Sequence, residues 1–248
     1  MKITSELAEI FGIHAGDGYM RLRGKKGEID ISGHLEEKEY YDSHVVLLFN
    51  NCLNLNLNAR FFSRGTYGIV IYNKKVTSLF NDFGFPFGKK SLTVSVPKEV
   101  LQSKNLKVIA GFLRGIFDTD GNLYFRNNQS CERYTLFKRK HNYYPLINFV
   151  TVSRTLAEGI VCLLGKLSIK SFMSISYPKA KDCNKVYRIT ISGVERLEKW
   201  MKLVGSKNPV KFTRYLVWKE FGFCPPHTTL KQRKDILNGK IDINSVGL

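Results

Sequence analysis

Acidic residues are scarce in this chain of 248: 21 Asp and Glu stand against 39 Lys and Arg, a formal net charge of +18. So lopsided a balance raises self-repulsion, and its usual purpose is a polyanionic partner, nucleic acid above all. Long apolar runs are missing too. None approaches the roughly 18 residues of a membrane span, which excludes a helical membrane protein. The opening Met1-Lys2-Ile3-Thr4-Ser5-Glu6 has no signal-peptide core, so the expected setting is intracellular and cytoplasmic. The five cysteines (Cys52, Cys131, Cys162, Cys183, Cys224) are scattered and form no CxxC pair. This argues against a zinc site or a disulfide framework and for reduced thiols. Nor is there a long stretch of low hydrophobicity. With 43% hydrophobic and 12% aromatic residues, the chain has the means to bury a core.

What is present centres on two short stretches. The first is Ile10-Phe11-Gly12-Ile13-His14-Ala15-Gly16-Asp17-Gly18, and the second is Leu113-Arg114-Gly115-Ile116-Phe117-Asp118-Thr119-Asp120-Gly121. Each closes an apolar run of helical length with Asp-Gly and then gives way to alternating, strand-like sequence. Ala8, Gly12 and Gly16 precede Asp17 by nine, five and one residues; Gly111, Gly115 and Thr119 stand at the same offsets before Asp120. Small residues four apart share one helix face, where a second backbone can approach closely. The spacing predicts that the two helices pack on each other and bring their final aspartates together.

The surrounding chain repeats as well. After the first helix, Tyr19 to Arg23 and Ile29 to Leu35 alternate about a Gly24-Lys25-Lys26-Gly27 turn, which reads as a β-hairpin. A helix is expected over Glu36 to Leu57. A second hairpin follows from Arg60 to Arg64 and Gly68 to Asn73, then a short helix from Lys74 to Phe83 that Gly84-Phe85-Pro86-Phe87-Gly88 breaks. A linking strand and short helix (Ser91 to Gln102) lead to a second round: helix Leu106 to Thr119, strands at 122–126 and 146–152 around a basic loop, helix Ser153 to Leu167, strands at 171–177 and 186–192, and helix Val194 to Val204. The order αββαββα occurs twice, an internal repeat of roughly one hundred residues. The expected organisation is an α+β fold with repeats at 1–104 and 105–207, each with a four-stranded antiparallel sheet. A basic, aromatic helical extension occupies 208–248, interrupted at Cys224-Pro225-Pro226.

A carboxylate at a helix C-terminus faces the negative end of the macrodipole. Repeating that unfavourable choice 103 residues apart, with matching small-residue offsets, points to a purpose. Two carboxylates brought together need neutralising, and a hard divalent cation with oxygen ligands does this. Beside a basic, strand-lined surface, Mg²⁺ suggests phosphodiester hydrolysis.

On these residues the chain resembles the two-motif, monomeric LAGLIDADG homing endonucleases. The pattern covers about residues 5–205, and the second motif, Ile109 to Gly121, is the more specific. The tail Asn208-Pro209 … Arg214-Tyr215-Leu216-Val217-Trp218-Lys219 resembles the archaeal intron and intein-like branch. The resemblance implies that both motif helices form the seam between the repeats, with the two sheets as a saddle over the DNA major groove. It implies that Asp17 and Asp120 bind Mg²⁺, or another divalent cation such as Mn²⁺, with Gly16 and Thr119 completing the metal residues, and that double-stranded DNA is cut with a stagger. A catalytic lysine is expected near each centre. Lys89 and Lys207 are assigned to this role, with Lys90 and Lys211 as neighbouring alternatives. Asp118 matches a position that usually makes structural contacts.

Strand alternation nominates Arg21, Arg23, Arg60, Arg64, Tyr124, Arg126 and Arg188 for DNA binding, and the loop from Arg133 to His141 for backbone contact. The competing expectation is the same fold without cutting activity, as an RNA maturase or transcription regulator. Retention of both aspartates favours the enzyme. Met1 and the ending Ser245-Val246-Gly247-Leu248 lack the nucleophile and His-Asn signature of an intein, so self-splicing is not expected.

Overall fold

A computed structural model describes residues 3–23, 26–62, 65–127, 142–177 and 184–246. Helix α1 (Ser5–Asp17) opens the chain, its N-terminus capped by the Thr4 hydroxyl, which accepts from Leu7 N. Strands β1 (Gly18–Arg23) and β2 (Lys26–His34) follow. A helical run from Leu35 ends in α3 (Val46–Leu53), after the short α2 (Lys38–Tyr40) and a π-helical turn at Tyr41–Val45. Strands β3 (Arg60–Phe61) and β4 (Thr66–Tyr72) complete a four-stranded antiparallel sheet in the order β1-β2-β4-β3. Helices α4 (Lys74–Asp82) and α5 (Lys98–Gln102) lead to α6 (Leu106–Thr119). Strand β5 (Asn122–Arg126), β6 (Tyr144–Thr151), helix α7 (Arg154–Lys166), β7 (Phe172–Ser176) and β8 (Val186–Ser192) then build a second sheet, β5-β6-β8-β7. Helix α8 (Val194–Leu203) closes this round, and α9 (Pro209–Phe221) and α10 (Leu230–Leu237) form the tail. The α+β class and the paired antiparallel sheets are as the pattern of the sequence demands.

Two expectations change in detail. The helix anticipated to Leu57 stops at Leu53, where Asn54 takes a left-handed conformation (φ 51°). The Asn50 side chain holds the chain after this break, accepting from Leu57 N at 2.7 Å and donating to Leu57 O at 3.1 Å. The link at 91–97 forms no strand. It is a turn followed by chain without regular structure, and the isolated bridge to the first sheet, Met20 with Gly88, lies just before it.

The seam between the halves is α1 against α6. An added Cβ on Gly12 would fall on the Phe112 carbonyl oxygen, and one on Gly115 would fall on the Glu9 carbonyl oxygen. The two contacts are equivalents in the two repeats, since 12 and 115, and 9 and 112, are each 103 residues apart. Ser5 lies against Gly111 and Gly16 against Thr119, so the helices advance in parallel. Backbones this close exclude any side chain at the crossing.

The inward sheet faces carry Met20, Ile29, Ile31, Ile69 and Ile71 in one half and Leu123, Ile147, Phe149, Ile189 and Ile191 in the other, all buried. Around the seam Phe11 meets Phe80, Phe83 and Phe85, and Phe117 meets Phe149 and Trp200. One ionic cluster breaks the symmetry. Glu9, 2% exposed, bonds His44 at 2.6 Å and pairs with Arg114, which also donates to Val204 O at 3.1 Å. Burial pushes the Glu9 carboxyl up, but these two partners outweigh it and hold it below the usual range. The equivalent residue in the second motif is Phe112, which needs no partner.

The tail packs on both halves. Trp218 stacks on Phe125 with ring centroids 5.7 Å apart and donates to Tyr143 O at 2.7 Å. Leu230 N donates to Glu36, Lys234 pairs with Glu39, and Asn208 donates to Glu37 at 2.6 Å. Arg233, fully buried, fastens α10 to α9 through Thr213, Val210 and Thr228. Among the described residues Cys52, Cys162 and Cys224 are free thiols, and no helix is long and apolar enough to cross a membrane.

Candidate metal centre and nucleic-acid interface

Asp17 ends α1 and Asp120 caps α6, where its N–H closes on Ile116 O. Because the helices run in parallel, both carboxylates arrive at one end of the seam, next to the first residues of β1 and β5. Their fields meet. The Asp17 carboxyl is pushed up to about 7 by burial first, then by Asp120 and by Glu37; Lys211 and a 3.2 Å hydrogen bond from the Tyr41 hydroxyl act the other way. The Asp120 carboxyl is also raised by desolvation, with Lys90 and Lys211 opposing.

Two ammonium groups stand at the helix ends. Lys90 Nζ donates to Ala15 O at 2.9 Å and Gly16 O at 2.6 Å; Lys211 Nζ donates to Phe117 O and Thr119 O, both at 2.6 Å. Cations on the last carbonyls of a helix satisfy orphan acceptors and complement the macrodipole. Burial lowers the pKa of both lysines, and both aspartates pull them back up. Lys90 comes from the link after the first repeat and Lys211 from α9, yet each serves its own motif helix in the same way.

The lysines assigned from sequence stand elsewhere. Lys89 is exposed, and the exposed Lys207 contributes its backbone N–H to Asp118 at 2.7 Å. Their neighbours Lys90 and Lys211 are the ones at the centre. Asp118 is fully buried, bonded also by the Ser206 hydroxyl, and its carboxyl is raised to about 6 by that burial. It ties α8's exit to the motif helix.

Glu37 and Tyr41 escaped sequence reasoning. Gly33 on β2 marks where they gather: an added Cβ there would fall on Glu37 Oε2, 3.1 Å from Tyr41 Oη and 3.2 Å from Asp17 Oδ2. The π-helical turn that begins at Tyr41 sets the direction of this ring, and such turns frequently mark functional positions. No local pattern announces either residue.

His14, one turn before Asp17, points away from the centre. Its ring lies edge-on to Phe80 and Phe85, both at 4.8 Å, and neither ring nitrogen has a hydrogen-bond partner. Burial, and then the charge of Lys90, lowers its pKa to about 3. A histidine that titrates near 6.5 when unfolded is thus neutral in the fold. Its contribution to stability is complete above pH 6.5 and is lost as pH falls toward 3. Relative to His14→Leu, the wild type is expected to lose on the order of 2 kcal/mol between pH 7 and pH 5, read by urea denaturation at each pH. A flat difference would show that the ring is solvated.

Among the described residues no three His, Cys, Asp or Glu side chains converge to hold an ion alone. A cation at Asp17 and Asp120 therefore needs further oxygens. The Gly16 and Thr119 carbonyls each accept from a lysine and each retain a second lone pair. Two carboxylates and two carbonyls are hard oxygen donors suited to Mg²⁺ or Mn²⁺, and the raised Asp17 carboxyl marks a pair short of positive charge.

The solvent faces of the sheets adjoin this centre. Arg21, Tyr124 and Arg126 lie on the outward rows, in register with Glu28, Leu146 and Tyr144. Arg60 faces outward over the Phe62 ring at 5.4 Å, Arg126 lies over Tyr144 at 5.7 Å, and Arg188 is exposed opposite Val150. Arg21 pairs with Glu28, and the Tyr124 hydroxyl accepts from Asn148 at 3.0 Å. Arg23 shares Arg21's row, its side chain outside what is described; Arg64 and the loop 133–141 lie outside the described residues.

Paired four-stranded sheets hung on two parallel acidic helices define the class: this is the two-repeat LAGLIDADG architecture. Solved structures with the same fold include the homing endonuclease I-DmoI in complex with DNA and Mn, with a TM-score of 0.53 at 12% identity over 81% of this chain and 96% of that one. A mutant of I-SmaMI gives a TM-score of 0.55 at 10% identity, over 96% of both chains. Residues 107–205 match the LAGLIDADG-like domain family. The family match covers the second repeat, and the likeness to the solved homing endonucleases extends the same fold over both repeats. Curated relatives are a subunit of the A-type ATP synthase of Pyrococcus abyssi, 31% identical over 55% of this chain, and the replication factor C small subunit of Methanocaldococcus jannaschii, 26% identical over 86%. The chain spans 11% and 10% of their lengths, so the likeness concerns one segment of each.

Proposed function

We propose that this protein is a site-specific double-stranded DNA endonuclease that hydrolyses one phosphodiester bond on each strand and leaves a staggered end. The observation that carries the reading is the convergence of Asp17 and Asp120 at one end of the parallel helices, both carboxyls raised by burial and that of Asp17 also by the charge of Asp120, beside two arginine-bearing sheets. I-DmoI, of the same fold, is described with its target DNA in the presence of Mn and of Mg.

In this reading Asp17 and Asp120, with the carbonyls of Gly16 and Thr119, hold Mg²⁺ or Mn²⁺. A divalent ion there supplies an activated water and charge stabilisation at the attacking and leaving oxygens. The protein supplies the rest. Lys90 and Lys211, fixed by two carbonyls each, set positive charge against the scissile phosphates without reorganisation at the moment of reaction. Tyr41 orients the Asp17 carboxylate, and Glu37, held by Asn208, adds negative charge on the first half's side of the centre. The sheets place the duplex, and two aspartates this close face phosphates across one groove, hence the stagger.

The test is a plasmid carrying the rejoined sequences that flank the reading frame. Linearisation with Mg²⁺ and none with EDTA is expected; tight binding without cutting under both conditions supports instead a catalytically silent nucleic-acid-binding protein. Binding should be strongly salt-dependent. If roughly 6–10 phosphates are neutralised, affinity falls about 10³–10⁵-fold between 50 and 200 mM salt, measured by fluorescence anisotropy. A complex indifferent to salt would remove the nucleic-acid reading.

A further inference from the structure

The two sheets present different chemistry at equivalent places. Register fixes the equivalence: Tyr19 pairs with Asp30 as Asn122 pairs with Asn148, so Arg21 and Glu28 correspond to Tyr124 and Leu146. Arg21, Glu28 and Tyr72 lie side by side on the outward face, opposite the buried row of Met20, Ile29 and Ile71. Glu28 is 2% exposed there, and the Arg21 side chain, 40% exposed, gives one Nη2 hydrogen to it. In the other half Tyr124 has no guanidinium to offer, and Asn148 at 4% exposure holds its hydroxyl.

We propose that Arg21, braced from behind by Glu28, reads a guanine in the half-site bound by the first sheet, and that the dyad-related position under Tyr124 carries no such requirement; this rests on the DNA reading above. A guanidinium with one Nη2 hydrogen committed keeps both Nη1 hydrogens and the second Nη2 hydrogen. That outward edge matches O6 and N7 of guanine, the base whose major-groove edge offers two adjacent acceptors. A brace fixes the plane before contact, so less side-chain freedom is lost on binding. The same brace makes Arg21 a poor phosphate ligand. Glu28 cancels its charge at contact distance, and Asp30, on the neighbouring outward position, adds a further carboxylate. Attraction for a phosphate falls, while the shape of the fork is untouched. Glu28 is here a positioning residue, acting through Arg21.

The test is selection from a randomised double-stranded DNA library, without Mg²⁺, for the wild type and for Arg21→Lys, Glu28→Gln and Tyr124→Phe. The wild-type consensus is expected to hold one guanine favoured roughly ten- to a hundred-fold. Arg21→Lys, which keeps the charge and sits on the surface, should erase that preference alone. Glu28→Gln should weaken it at the same position, and Tyr124→Phe should leave it intact. A consensus unchanged at every position by Arg21→Lys overturns the proposal. So does a loss of affinity spread evenly over all sequences with a shallower salt slope, which marks a phosphate contact. A wild type that enriches no DNA overturns the endonuclease reading itself, and this inference with it.

Discussion

Asp17→Asn and Asp120→Asn are expected to bind target DNA as the wild type does and to cut it roughly 10²–10⁴-fold more slowly, equivalent to several kcal/mol of lost transition-state stabilisation. The same substitutions should raise stability. Asp17 has a folded pKa of about 7 against an ordinary value near 3.8, so the folded state holds a proton that the unfolded chain has already released. Stability attributable to this group is therefore present below pH 3.8 and declines as pH rises through 7. At pH 8, without added cation, Asp17→Asn should melt above the wild type. Adding Mg²⁺ should raise the wild-type melting temperature by mass action and leave the variant nearly unmoved. Full cleavage activity in either variant would sink the metal assignment. An unchanged wild-type melting curve in Mg²⁺ would sink it independently of any DNA target.

The second large effect belongs to the seam. Gly115→Leu places its first side-chain carbon on the Glu9 carbonyl oxygen and drives the motif helices apart, at an expected cost above about 4 kcal/mol. Gly12→Leu should behave alike, because its Cβ meets the Phe112 carbonyl from the other helix. The control is Gly165→Ala on α7, where nothing lies within 4 Å of the added carbon. It should be neutral or stabilising by up to about 1 kcal/mol. Urea denaturation followed by circular dichroism distinguishes the three. Near-neutral behaviour of Gly115→Leu would mean the helices do not touch backbone to backbone.

Much of the frame was legible because it rests on local signals. Helix and strand follow from apolar spacing at 3.6 and 2 residues, and the duplication follows from equal offsets before Asp17 and Asp120. Even the α1–α6 contact could be anticipated, since glycines four apart have few uses on a helix other than close approach. The errors came where a side chain overruled the pattern. Apolar residues continue past Leu53 but at every second position (Leu55, Leu57), and Asn50 captures Leu57 as the chain turns out of the helix. Lys89 and Lys90 are adjacent and chemically identical in sequence. Only the direction in which the link leaves Gly88, held to Met20 O by a 2.7 Å hydrogen bond, aims the second at α1.

By itself, then, the sequence determined the repeat, the sheet-and-helix order, the basic surface and the pair of aspartates, all matters of type and spacing. The tertiary structure alone decided which lysines reach the helix ends, that Glu37 and Tyr41 join Asp17 beside Gly33, and that Arg21 is braced while Tyr124 is not. Those facts depend on residues distant in the chain meeting within a few ångströms. A carboxyl is raised, or an arginine held, by whatever lies nearest in space, and distance along the chain does not enter Coulomb's law.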